Sequence, residues 1–251
     1  MTHTAIPWAT AWRYTLPWVL VASALLAIFS GPNALDAEIL RFVFKPLTTV
    51  LIIAYAWSRT GDVPRRRTWV LVGLVFSLFG DIALLWPGGF VAGLVAFLLA
   101  HLAYLVAFTS TTRLASVWQP WIFYAAVSAA LLAQLWPGVP GALQIPVVAY
   151  VVCLAAMAAQ AATWWLREGS APLSREAGFA ALGGLLFVSS DTLLAINKFL
   201  DPLPEASLWV LSTYWAAQWC IATSLKRKPV RDRASEVLPP APTAAGRRRA
   251  A

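Results

Sequence analysis

"VAGLVAFLLAHLAYLVAFTSTT", residues 91–112, carries no Asp, Glu, Lys or Arg along its length. A helix needs about 20 predominantly apolar residues to cross the hydrocarbon core of a bilayer, and this run supplies them. Comparable runs stand at about 14–30, 42–58, 68–86, 118–136, 142–166, 177–199 and 207–225. The pattern predicts an all-α, polytopic membrane protein built as a bundle of eight transmembrane helices. Composition agrees: the 251 residues are 60% hydrophobic and 12% charged, whereas a soluble domain is about 25% charged. Little of the chain is left for a soluble catalytic domain, so any chemistry falls to the membrane helices.

The net charge of +8 is distributed for orientation rather than for nucleic acid. With a cytoplasmic N-terminus, 16 of the 19 Lys and Arg residues lie inside, and only Arg41, Lys45 and Lys198 lie outside. That asymmetry follows the positive-inside rule and predicts both termini in the cytoplasm of a multi-pass cell-membrane protein. Ala34 to Ala37 loosely resembles a signal-peptide cleavage region, but cleavage would leave seven helices and misplace the next loops. Cys153 and Cys220 fall within apolar segments and suggest no disulfide. Residues 1–226 are expected to form the membrane domain. Residues 227–251, rich in Pro, Ala and Arg, are expected to be a disordered basic cytoplasmic tail.

A weak internal echo accompanies the spans. Gly73 precedes Asp81 by eight residues and Gly183 precedes Asp191 by eight; Asp81 precedes Tyr104 by 23 and Asp191 precedes Tyr214 by 23. Two four-helix repeats of the same orientation would produce this spacing.

Two carboxylates inside lipid-soluble sequence need a reason. An Asp at a helix centre costs about 2.5–3.5 kcal/mol on insertion scales, so it normally faces a bundle interior or a wet cavity. Asp81 lies roughly 7–8 Å before the outer end of the third segment, and Asp191 roughly 12 Å before that of the seventh. The fourth segment carries His101 and Tyr104, the eighth carries Tyr214 and Gln218, and the second is expected to begin with Lys45, followed by Pro46, which favours a helix start or kink there. All share the outer-to-middle depth, which points to one pocket opening away from the cytoplasm. Each has a plainer role available: an interhelical hydrogen bond for an Asp, a core histidine, snorkelling lysines, packing tyrosines. Their coincidence in depth is the stronger signal.

Several chemistries are excluded. Zinc hydrolases want about three His, Cys or carboxylate ligands, and this chain has two histidines, one of them His3. No G-x-S-x-G elbow, Walker A loop or dinucleotide fingerprint occurs, so neither a metal nor a cofactor is expected. Carboxylate acid/base chemistry on a lipid-like molecule remains. A proton-coupled carrier and a non-catalytic lipid-binding membrane protein use the same features. A carrier would also want polar residues in the inner half, where few stand.

The motifs "KPLTT" (45–49), "FSLFGDIALLWP" (76–87), "FLLAHLAYLVAF" (97–108), "LLFVSSDTLLAINKF" (185–199) and "YWAAQ" (214–218) occur in order. As a set over residues 40–225 they resemble the YhhN-type lysoplasmalogenase family of eight-pass membrane proteins. The resemblance implies hydrolysis of the vinyl-ether bond of lysoplasmalogens to a fatty aldehyde and glycerophosphoethanolamine or glycerophosphocholine. Lys45, Asp81, His101, Tyr104 and Asp191 fall on the family's polar positions. Asp81 and Asp191 are then expected to be a general acid/base pair, with His101 and Tyr104 serving Asp81, and Tyr214 and Gln218 serving Asp191. Lys45, Thr49, Ser190, Asn197, Tyr214 and Gln218 are the expected substrate contacts, with Lys45 meeting the phosphate. The implied partners are a lysophospholipid substrate and membrane lipids; oligomeric state is left open.

Overall fold

A computed structural model describes residues 7–30, 37–169 and 174–226. Within them the chain forms eight α-helices: α1 (Pro7–Phe29), α2 (Glu38–Trp57), α3 (Pro64–Ala83), α4 (Phe90–Phe108), α5 (Gln119–Leu135), α6 (Gly141–Glu168), α7 (Ser174–Phe199) and α8 (Ala206–Thr223). A single 3₁₀ turn, Trp136–Gly138, extends α5. No strand occurs among the described residues. Every apolar run of the sequence falls on one helix. The tail at 227–251, His3 and Ala34 lie outside the described residues.

Five helices, α2, α4, α5 with its 3₁₀ extension, α6 and α7, are long and apolar enough to cross a membrane. The surface fits a multi-pass membrane protein. Ile145, Val152 and Ile122 are 82%, 63% and 59% exposed, a display that water disfavours and lipid accommodates.

The helix ends have local causes. Pro64 occupies the first turn of α3, where its missing N–H is no loss. α2 departs from expectation: it starts at Glu38, about two turns before Lys45, and Pro46 lies inside it. Glu38 in the first turn favours the positive end of the helix dipole. Pro46 deletes one ladder bond only, that to the Phe42 carbonyl; separately, the hydroxyls of Thr48 and of Ser23 on α1 donate to the Phe44 carbonyl at 2.8 Å and 3.3 Å. The added turns bring Arg41 onto the helix.

Sequential helices pack as neighbours throughout α1–α4 and again throughout α5–α8, except that α4 meets α6 rather than α5. The contacts between the halves also correspond, α2 lying on α8 and α6 on α4. Small residues permit close approach. A Cβ on Gly73 would overlap the Tyr104 ring of α4, and one on Gly183 would come within 2.8 Å of Ile221 and 3.1 Å of the Ala217 carbonyl on α8. The two echo glycines thus close the α3–α4 and α7–α8 pairs. The core runs through Leu74, Tyr104, Phe187 and Ile221, all fully buried.

The bundle has one structural end and one open end. At the end carrying the basic loops, Arg66 pairs with Asp62 at 3.1 Å and lies 4.0 Å over the Trp164 ring. Asp62 also accepts the Lys226 backbone N–H at 3.1 Å, tying the α2–α3 loop to the end of α8. The polar residues of the candidate site gather towards the opposite end.

Candidate active site

Asp81, near the end of α3, is 1% exposed. Its Oδ2 accepts hydrogen bonds from the Thr49 hydroxyl at 2.6 Å and the Tyr214 hydroxyl at 2.8 Å. Its Oδ1 lies 3.9 Å from Lys45 Nζ. Lys45 and Thr49 are one turn apart on α2, so a single helix face presents both. Trp215 Nε1 donates to Thr49 Oγ1 at 3.2 Å, which aims the threonine proton at the carboxylate. Two hydroxyl donors and one ammonium surround this acid, an environment that suits an ionised acceptor.

Asp191, on α7, is 12% exposed at its side chain. Tyr150 of α6 donates to its Oδ2 at 2.5 Å. His101 Nε2 lies 3.9 Å from the same oxygen, beyond hydrogen-bond distance. The imidazole is fully buried, and neither nitrogen has a hydrogen-bond partner among the described residues. Its ring is held edge-on between Tyr150 at 5.2 Å and Phe187 at 4.6 Å. No ammonium or guanidinium pairs with Asp191 among the described residues, so the two acids sit in different electrostatic settings.

Both carboxylates line one polar chamber, together with Arg41, Lys45, Asn197 and Tyr214. A second chamber, almost wholly apolar in its lining, runs between α4, α5, α6 and α7 past Leu131, Val151 and Leu154. Leu84, Phe97, Asp191 and Leu194 line both. The chambers therefore meet at Asp191, and the arrangement suits an amphiphile with a polar head, an apolar chain and its junction at a carboxylate.

The expected site residues are brought together, with partners exchanged. Tyr214, expected beside Asp191, serves Asp81; His101, expected beside Asp81, stands near Asp191. Tyr104 touches neither acid: it donates to Gln218 at 2.6 Å and lies 3.4 Å from Ser77. Ser190 lines the polar chamber but donates to the Val210 carbonyl at 3.0 Å. Asn197 also lines it while accepting the Leu203 N–H at 2.9 Å, a bond that shapes the α7–α8 loop. Tyr150, Trp215 and Arg41 escaped the sequence reading. A tyrosine within an apolar span carries no mark that separates a carboxylate donor from a packing ring. No group of three His, Cys, Asp or Glu side chains suited to a metal occurs among the described residues.

The family model described as YhhN family matches residues 40–225. Lysoplasmalogenase TMEM86B of Homo sapiens is 38% identical over 238 residues, 91% of this chain and 93% of that protein. Lysoplasmalogenase TMEM86B of Mus musculus is 31% identical over 227 residues, 86% of this chain and 88% of its own. Lysoplasmalogenase of Mycobacterium tuberculosis is 30% identical over 229 residues, covering 84% and 80% respectively. No solved structure matches.

Proposed function

The chain belongs to the YhhN family, and on that premise we propose that it is a membrane hydrolase that cleaves the vinyl-ether bond of lysoplasmalogens by carboxylate acid/base catalysis. The observation that carries the mechanism is the position of Asp191 where the polar and apolar chambers meet. In a lysoplasmalogen the vinyl ether is the junction between the glycerol phosphate head and the chain.

Hydrolysis begins with protonation of the alkene carbon distal to oxygen. The resulting oxocarbenium ion takes water at the carbon bearing oxygen, and the hemiacetal collapses to aldehyde and glycerol hydroxyl. Glycosidases distribute comparable work over two carboxylates. Asp191, at the chain side of the junction, is the proton donor. Asp81, held as an acceptor by Lys45, Thr49 and Tyr214, stabilises the cation and takes the proton of the attacking water. The Phe97 ring lines both chambers, within reach of the same cation. His101 and Tyr150 orient Asp191, and Tyr104 with Gln218 backs the Asp81 cluster. The bundle is further proposed to cross the cell membrane eight times with cytoplasmic termini, which the asymmetry of basic residues supports.

The test uses purified protein, a lysoplasmalogen and its saturated ether analogue in water enriched in heavy oxygen. Only the vinyl ether should be consumed, and the glycerol hydroxyl should keep its original oxygen. Heavy oxygen in the glycerol product, or cleavage of the saturated ether, refutes carbon protonation. A carrier would instead move a solute with protons into proteoliposomes and consume no lysolipid.

A further inference from the structure

We propose that Arg41 is the phosphate anchor of this site, binding the phosphate of a lysophospholipid whose chain fills the apolar chamber; the proposal rests on the lysolipid reading above. Arg41 lines the polar chamber one turn before Lys45 on α2, about 6 Å nearer the open end of the bundle. On the eight-span topology proposed above, that is the depth of a headgroup.

The charge of the chamber supports an anionic ligand. Lys45 is matched by Asp81 at 3.9 Å, whereas Arg41 makes no ion pair among the described residues, and its buried Nε lacks a hydrogen-bond partner. Glu38, three residues away on the same helix, is exposed and also forms no ion pair among them. The charged lining is Arg41, Lys45, Asp81 and Asp191. When Asp191 holds the proton that it delivers, two cations face one carboxylate. A phosphodiester, with a single negative charge, restores balance.

Chemistry and topology agree with this assignment. A guanidinium fork matches phosphate oxygens in pairs, and its weak hydration suits a partly desolvated wall. Arg41 and Lys45 are also two of the three basic residues that the charge asymmetry places on the outer side. Orientation alone does not call for cations there. Pairing Lys45 with Asp81 moves the phosphate role expected of Lys45 to its neighbour one turn along.

The experiment measures binding without turnover. A saturated 1-O-alkyl lysophosphoethanolamine, the matching 1-O-alkylglycerol without phosphate, and inorganic phosphate would be titrated onto wild type, Arg41→Gln and Arg41→Lys by calorimetry in detergent. Arg41→Gln should weaken the lysophospholipid by about 10-fold or more, with Arg41→Lys intermediate and alkylglycerol affinity unchanged. Inorganic phosphate should compete only weakly, because it lacks the chain. If Arg41→Gln does not fold, the ratio of lysophospholipid to alkylglycerol affinity in Arg41→Lys carries the same test. Equal loss for both ligands, or loss for neither, overturns the anchor. Inorganic phosphate binding as tightly as the lipid overturns the lipid source. Arg41-dependent binding by a protein that leaves the vinyl ether intact keeps the anchor and removes the hydrolase.

Discussion

Lys45 Nζ lies 3.9 Å from Asp81 Oδ1, with the two side chains 4% and 2% exposed, so an ion pair joins α2 to α3 inside the bundle. Breaking a buried pair by removing one member leaves an uncompensated charge and costs about 3–5 kcal/mol. Lys45→Met should therefore lower thermal stability in detergent. Lys45→Met combined with Asp81→Asn should recover most of that loss while remaining inactive. A double variant as unstable as Lys45→Met would show that the two residues are not coupled.

Asp191 has no such cation partner among the described residues, so its chemistry and its structural role separate. Asp191→Asn should keep near wild-type stability and lose about 10²–10⁴-fold in kcat, the range for a general acid. Retained turnover would reject the assignment.

Tyr150 donates to Asp191 at 2.5 Å, so Tyr150→Phe removes one hydrogen bond to the proposed acid. Its kcat should fall about 10- to 100-fold, in proportion to a charge-assisted bond, with KM nearly constant. A raised KM at full kcat would instead make Tyr150 a wall of the chain chamber only.

On the proposed reading the apolar chamber holds the chain and would set its length. Val151 lines it, and Val151→Trp should shift preference towards shorter alkenyl chains while leaving headgroup preference alone. Competition assays with lysoplasmalogens of graded length would read the change. An unaltered length profile would mean that the chain lies elsewhere.

Topology is open to reporter fusions. Those after Arg66, Arg113, Arg175 and Lys226 should report cytoplasm, and those after Gly88, Gly138 and Pro202 should report the outer side. An external reporter at Lys226 would break the eight-span count.

The helices were legible because hydrophobic runs of spanning length are strong signals, and each lands on one helix. The start of α2 was not, since Pro46 reads as a boundary whereas the helix runs through it from Glu38 with the loss of one ladder bond. The acids were legible from the expense of burying charge. Their partners were not, because short loops argue only for sequential neighbours. Tyr214 reaches Asp81 through the non-sequential packing of α8 on α2, and α4 packs on α3 and on α6. His101 and Tyr104, three residues apart on α4, consequently serve different acids' surroundings.

Each carboxylate takes one neighbour from the opposite four-helix half: Tyr214 of α8 reaches Asp81, and His101 of α4 stands by Asp191. During synthesis the first half therefore precedes one of the two hydroxyl donors to its acid, which until then has Thr49 alone, and its histidine awaits a carboxylate not yet translated. Docking of α8 then supplies Tyr214 to the Asp81 cluster, whereas the Asp191 cluster closes between α4, α6 and α7. A chain stopped before Ala206 would lack Tyr214 and, on the proposed mechanism, should be inactive. Co-expressed fragments divided at the α4–α5 loop should regain turnover only together.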